Sequence, residues 1–138
     1  MTRPVRQPSP LTDADIARVV AAFYAEVRRH PELGPVFSAH VPPGGWPAHE
    51  AKIAAFWRRA IRKEPGYDGN PMAVHLATPE VRPGHFAQWL GLFETVVRRE
   101  IGGEVGAAWV AMAQRIGRGM RLAIEDRDQP AGAAPRLV

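Results

Sequence analysis

The stretch that decides the fold runs Trp46-Pro47-Ala48-His49-Glu50-Ala51-Lys52-Ile53-Ala54-Ala55-Phe56-Trp57-Arg58-Arg59-Ala60-Ile61-Arg62-Lys63-Glu64-Pro65-Gly66-Tyr67-Asp68-Gly69-Asn70-Pro71-Met72-Ala73-Val74-His75. Pro47 falls where a first-turn proline is welcome, because the N–H it lacks would be unpaired there anyway. From it His49, Ile53, Phe56 and Ala60 recur at i, i+4, i+7 and i+11, which is one face of a helix expected over 47–62. Three of the four are apolar. The exception, His49, is a titratable ring on a core-facing stripe and must find a partner or a task.

Glu64-Pro65-Gly66-Tyr67-Asp68-Gly69 cannot continue that helix. Asn70 caps and Pro71 opens a short second segment, Pro71-Met72-Ala73-Val74-His75-Leu76, which carries a second histidine among apolar neighbours. Two helices that each present a histidine can close on a flat ligand from both sides. The spacing alone does not select that reading, since histidines on separate helices are common.

Working outward, residues 1–11 read as a flexible, proline-rich lead. Thr12 and Asp15 form a capping-box variant at the start of a helix whose stripe is Ile16, Val20, Phe23 and Val27, and which ends at His30-Pro31. Tyr24 borders that stripe, and its residue type alone favours a boundary position with the hydroxyl in water. Pro31 to Gly45, with four prolines, reads as a connector anchored by Phe37. Pro83 opens a helix reaching about Ile101, with His85, Trp89, Leu92 and Val96 on one face and Phe86, Leu90, Phe93 and Val97 on the next. So broad an apolar surface marks it as central. Gly102-Gly103 stops it. A last helix over about 104–126 carries Val105, Trp109, Met112, Ile116 and Met120, with Gly117 and Gly119 offering close approach to a neighbour. Residues 127–138 read as a disordered tail. The expectation is an all-α fold with one domain over 12–126.

Composition narrows the functions open to such a fold. The chain has 138 residues and no cysteine, which excludes disulfides, thiolate chemistry, Cys-based zinc sites and covalent C-x-x-C-H haem attachment. Only Lys52 and Lys63 among 18 basic residues are not arginine, and the net charge is +4. The pairs Arg28-Arg29, Arg58-Arg59 and Arg98-Arg99 are spread over separate helices rather than joined in a stripe, so no nucleic-acid partner is expected. With neither an apolar leader nor a run of roughly 20 apolar residues, no membrane partner is expected, and the expected location is cytoplasmic.

Several motifs, taken in order, resemble the truncated haemoglobins, specifically their third group. They are Phe23-Tyr24-Ala25-Glu26-Val27-Arg28, Leu33-Gly34-Pro35-Val36-Phe37, Trp46-x-x-His49-x-x-Lys52-Ile53-x-x-Phe56-Trp57, Tyr67-x-Gly69-x-Pro71-x-x-x-His75-Leu76 and His85-Phe86-x-x-Trp89-Leu90-x-Leu92-Phe93. The resemblance covers about residues 12–126. It implies a two-over-two helical sandwich around haem b (iron protoporphyrin IX). His75 matches the proximal iron ligand; Tyr24, His49 and Trp89 match the distal residues that steady a bound gas. Phe37 matches the phenylalanine packed on the macrocycle and Ile53 a distal wall residue. Phe56, Trp57, Leu76, Phe86 and Phe93 would complete the apolar wall. Lys52, and after it Arg82 or His85, are candidates for pairing the propionates.

The implied function is binding of O2, and of NO or CO, in a polar distal pocket. NO dioxygenation or a peroxidase-like reaction would draw on an unknown reductase, and the expected assembly is a monomer or weak dimer. Two other readings stand beside it: a small helical regulatory module without haem, and a metal site built from His49, His75 and His85. Neither accounts for the aromatic wall around the histidines.

Overall fold

Thr12 opens the first helix by the expected reciprocal cap. Its hydroxyl accepts the Asp15 N–H at 3.0 Å, and the Asp15 carboxylate accepts the Thr12 N–H at 3.1 Å. In the computed structural model, which describes residues 11–63, 65, 69 and 78–129, this is α1 (Asp13–Arg29). It is followed by α2 (Leu33–Ser38), a 3₁₀ turn (Pro43–Gly45), α3 (Trp46–Arg62), α4 (Pro83–Glu100) and α5 (Gly103–Arg127). The expected lead before Leu11, most of the expected tail, and the segment from Pro71 through His75 and Leu76 lie outside the described residues.

α1 packs on α3, α4 packs on α5, and α1 also crosses α4. This is the two-over-two helical arrangement that the resemblance implies. The pairs meet at Phe93 on α4. Trp57 from α3 stacks on it with centroids 5.4 Å apart and planes 15° apart, and Trp89 stacks from the turn before at 5.2 Å and 6°. Phe23 from α1 and Trp109 from α5 meet the Phe93 ring edge-on at 5.4 and 5.5 Å. Offset and edge-to-face pairs of this kind stabilise by about 0.5–1.5 kcal/mol each beyond the area they bury. The central role expected of α4 follows from this position.

Four expectations change. The proline-rich connector is partly helical, because Pro35 falls at the third position of α2, inside the first turn where a missing N–H costs nothing. The His30 Nδ1 accepts the N–H groups of Glu32 and Leu33, both at 3.1 Å, and so caps the start of that short helix. On α5 the deepest residues are Gly106, Trp109, Val110, Ala113, Gly117 and Ile124, while Val105, Met112, Ile116 and Met120 are only partly covered. Small side chains let α4 come close, and the long ones splay to the margins. Gly117 shows this directly: a Cβ there would stand 3.0 Å from Leu90 Cδ1, whereas at Gly119 it would meet nothing. Gly119 therefore has no part in the close approach.

The fourth change is at Arg127, expected in the tail. It ends α5 and donates to the carbonyls of Thr78 at 2.9 Å and Val81 at 2.7 Å, tying the end of the last helix to the segment that leads into α4. Arg62, at the end of α3, ties in the start of α1 in the same way, donating to the Leu11 carbonyl at 2.8 Å and pairing with Asp13. Between α4 and α5 the chain turns through Gly102 and Gly103, with φ of 67° and 63°, a left-handed region that favours glycine. Among the described residues no helix is long and apolar enough to cross a membrane.

Candidate functional site

α3 presents His49 one turn after Trp46, so both rings turn toward α1. There they meet Tyr24. The Tyr24 ring stands edge-on to His49 with centroids 4.9 Å apart, edge-on to Phe37 at 5.6 Å, and tilted against Trp46 at 5.8 Å. His49 in turn meets Trp46 at 5.7 Å and Phe37 at 6.1 Å. Tyr24, His49, Phe37 and Trp46 thus form one aromatic nest. Phe23, 5.0 Å from Tyr24, links it to the cluster at Phe93.

The electrostatics of the nest follow from its burial. Tyr24 is 3% exposed, which overturns the boundary position that its residue type alone favours. Burial, reinforced by the nearby Glu50 carboxylate, pushes its phenol pKa well above the ordinary tyrosine range. The hydroxyl therefore stays protonated and available as a donor. Burial, and then the Lys52 ammonium, push the His49 imidazole below the usual histidine value, so the neutral ring is favoured. The His49 Nε2 is buried and has no hydrogen-bond partner among the described residues. An unpaired buried polar atom costs about 1–3 kcal/mol, so a fold that keeps one needs a reason for it.

The other site residues divide. Phe37, Ile53 and Phe56 are half-buried and packed on the core, with Phe56 edge-on to Trp57 at 5.0 Å. Trp57, Phe86 and Phe93 are buried. Trp89 meets Phe23 at 5.2 Å and Phe93, but no described ring contact joins it to Tyr24 or His49; it stands one ring away, across Phe23. Lys52 is exposed on α3. The His85 Nδ1 accepts the Arg82 N–H at 2.9 Å, which engages this ring in starting α4. His75 and Leu76 lie outside the described residues. Trp46 is the residue that sequence reasoning left without a role, although its i, i+3 spacing to His49 already put the two on one face.

This helical arrangement matches a solved structure. The crystal structure of group III truncated hemoglobin from Campylobacter jejuni superposes with a TM-score of 0.80 and 28% identity, over 86% of this chain and 95% of that one. No protein-family model matches the chain. A curated relative, Group 3 truncated hemoglobin ctb from Campylobacter jejuni, is 35% identical over 86 residues, which are 61% of this chain and 68% of the relative. The chain belongs to the group III truncated haemoglobins.

Membership in this family implies a haem cofactor, and the side chains of this globin suit one. A broad apolar group needs an apolar wall with a few placed polar atoms. Ile53, Phe56 and Ala60 lie along one face of α3, each only partly covered by the core beneath. One turn before them stands an imidazole with an unpaired buried nitrogen. Such a surface fits a flat apolar partner that brings a single polar acceptor to the Tyr24–His49 end.

Proposed function

We propose that this globin binds haem b with His75 as iron ligand, and that Tyr24 and His49 of the α1–α3 nest would stabilise bound O2 or NO. The observation that carries the reading is the pairing of the buried Tyr24 phenol with the half-buried His49 imidazole, whose buried Nε2 has no partner among the described residues, ring centroids 4.9 Å apart. When bound, the haem would supply an iron site for O2, whose partial negative charge calls for hydrogen-bond donors. Tyr24 donates to that charge through its hydroxyl. His49, kept neutral by burial, donates through whichever ring nitrogen holds its proton, the tautomer being set by its surroundings. Phe37, Ile53 and Phe56 exclude water, which would otherwise compete for both donors. Trp89, packed on Phe23 and Phe93, is the third proposed donor, through its indole N–H. His85 is bound into the α4 cap, so it is the poorer candidate for the iron. Lys52, exposed one turn from His49, is the candidate for pairing a propionate.

Donors of this strength slow the release of O2. Slow release fits chemistry on O2 or NO, such as NO dioxygenation or a peroxidase-like step, better than storage, with electrons drawn from a separate reductase. The test is reconstitution. Haemin added to the purified chain should give a sharp Soret band that saturates at one equivalent, and reduction under air should give a stable O2 spectrum. A chain that stays colourless, or takes up haemin without saturation, overturns the reading.

A further inference from the structure

Trp46 is 5% exposed, yet a charged side chain lies on it: the Arg28 guanidinium carbon stands 4.9 Å from the centroid of its ring. Its neighbours on the inner side are Tyr24 at 5.8 Å, His49 at 5.7 Å and Phe37 at 6.5 Å. The order from solvent inward is therefore guanidinium, indole, donor pair. Tyr24 and Arg28 are one turn apart on α1, and Trp46 and His49 one turn apart on α3. The stack is thus built from both helices that frame the nest. A cation over an indole face prefers one arrangement, which holds the ring in place without burying the charge.

We propose that Trp46, clamped by Arg28, is a positioning residue for the distal donors: it fixes the rings of Tyr24 and His49 and seals them from water on the solvent side. The proposal rests on the haem-binding reading above and deepens it. Neither Trp46 nor Arg28 touches the reacting ligand. They act by holding the two groups that do, much as a supporting contact fixes a metal-binding ligand. Without the indole, water reaches His49 Nε2 and the Tyr24 hydroxyl, and both gain freedom to turn away.

The experiment compares the haem-loaded protein with Trp46→Ala, Trp46→Leu and Arg28→Met. Three quantities are read: the C–O stretching band of the ferrous CO form, the O2 off-rate, and the rate at which diethyl pyrocarbonate modifies His49. The last is followed by peptide mass spectrometry with and without haem. Trp46→Ala should broaden the band and move it to higher wavenumber. It should raise the O2 off-rate about fivefold or more, the equivalent of losing about one ordinary hydrogen bond. His49 modification should speed up severalfold in both haem states. Trp46→Leu, which keeps apolar bulk and guards against a failure to fold, should behave the same way. Arg28→Met should move all three readouts in the same direction by a smaller step, about two- to fivefold in off-rate, the scale of an exposed cation–π contact. A lowered melting temperature with the band, the off-rate and the His49 modification unchanged overturns the proposal, because Trp46 would then only pack. Failure of the wild-type chain to take up haem would instead overturn the haem reading, so the two failures are distinguishable.

Discussion

Replacing Tyr24 by phenylalanine removes one oxygen atom and leaves the ring. The ring is what the fold uses: it is 3% exposed and sits edge-on to Phe23 at 5.0 Å, to His49 at 4.9 Å and to Phe37 at 5.6 Å, contacts that phenylalanine makes equally well. The hydroxyl, held protonated by its burial, is what the proposed function uses. A hydrogen bond to a partly charged acceptor contributes about 1.5–3 kcal/mol, and each 1.4 kcal/mol is tenfold, so Tyr24→Phe should speed O2 dissociation roughly ten- to hundredfold. CO carries little charge on its oxygen and should dissociate at nearly the wild-type rate. The assay is stopped-flow displacement of O2 by CO. Trp89 is the third distal donor of the proposed function, so Tyr24→Phe combined with Trp89→Phe should be non-additive. An O2 off-rate unmoved in both the single and the double variant would refute the reasoning, since Tyr24 would then only pack.

Other expectations follow from the same geometry. Gly117→Val should lower stability by about 1–3 kcal/mol, because even a bare Cβ would stand 3.0 Å from Leu90. Gly119→Ala, in open space on the same helix, should raise it by up to about 1 kcal/mol, and chemical denaturation of the pair reads both signs. His49 contributes to the pH dependence of stability with a definite sign. Its folded pKa lies below the unfolded value of about 6.5, so its contribution is fully present above pH 6.5 and is lost as pH falls from there through the folded pKa. The melting-temperature difference between wild type and His49→Gln should shift against the wild type over that interval and stay constant above it. A difference that instead changes only above pH 6.5 would contradict the assignment.

Where local chemistry decides structure, the sequence is easy to read. Thr12 with Asp15 starts α1, Pro83 starts α4, and Gly102-Gly103 turns the chain between α4 and α5, each by contacts within a few residues. The all-α fold follows from the helical spacing of large apolar residues, whereas the two-over-two arrangement is legible only through the family's motifs. What stays hidden depends on neighbours distant in sequence. The buried face of α5 is centred on Gly106, Ala113 and Gly117, which hydrophobicity underrates because their value lies in what they let approach. α2 is obscured by the prolines of the connector, although the one inside it, Pro35, falls in the first turn where it is harmless. Tyr24 looks like a boundary residue until α3 and Phe37 close over it. Trp46 has no role legible in the sequence until Arg28, eighteen positions earlier, is found on its outer face.

Haem ligation by His75, with Tyr24 and His49 as the donors to the bound gas, is the proposal on which the rest depends. It is tested most directly by the ferrous, ligand-free spectrum of His75→Gly reconstituted with haemin, with and without added imidazole. The account predicts that the five-coordinate histidine-ligated spectrum and tight haem retention are lost in the variant and restored by imidazole, while His85→Gly keeps both. A normal spectrum in His75→Gly without imidazole, together with its loss in His85→Gly, would contradict it.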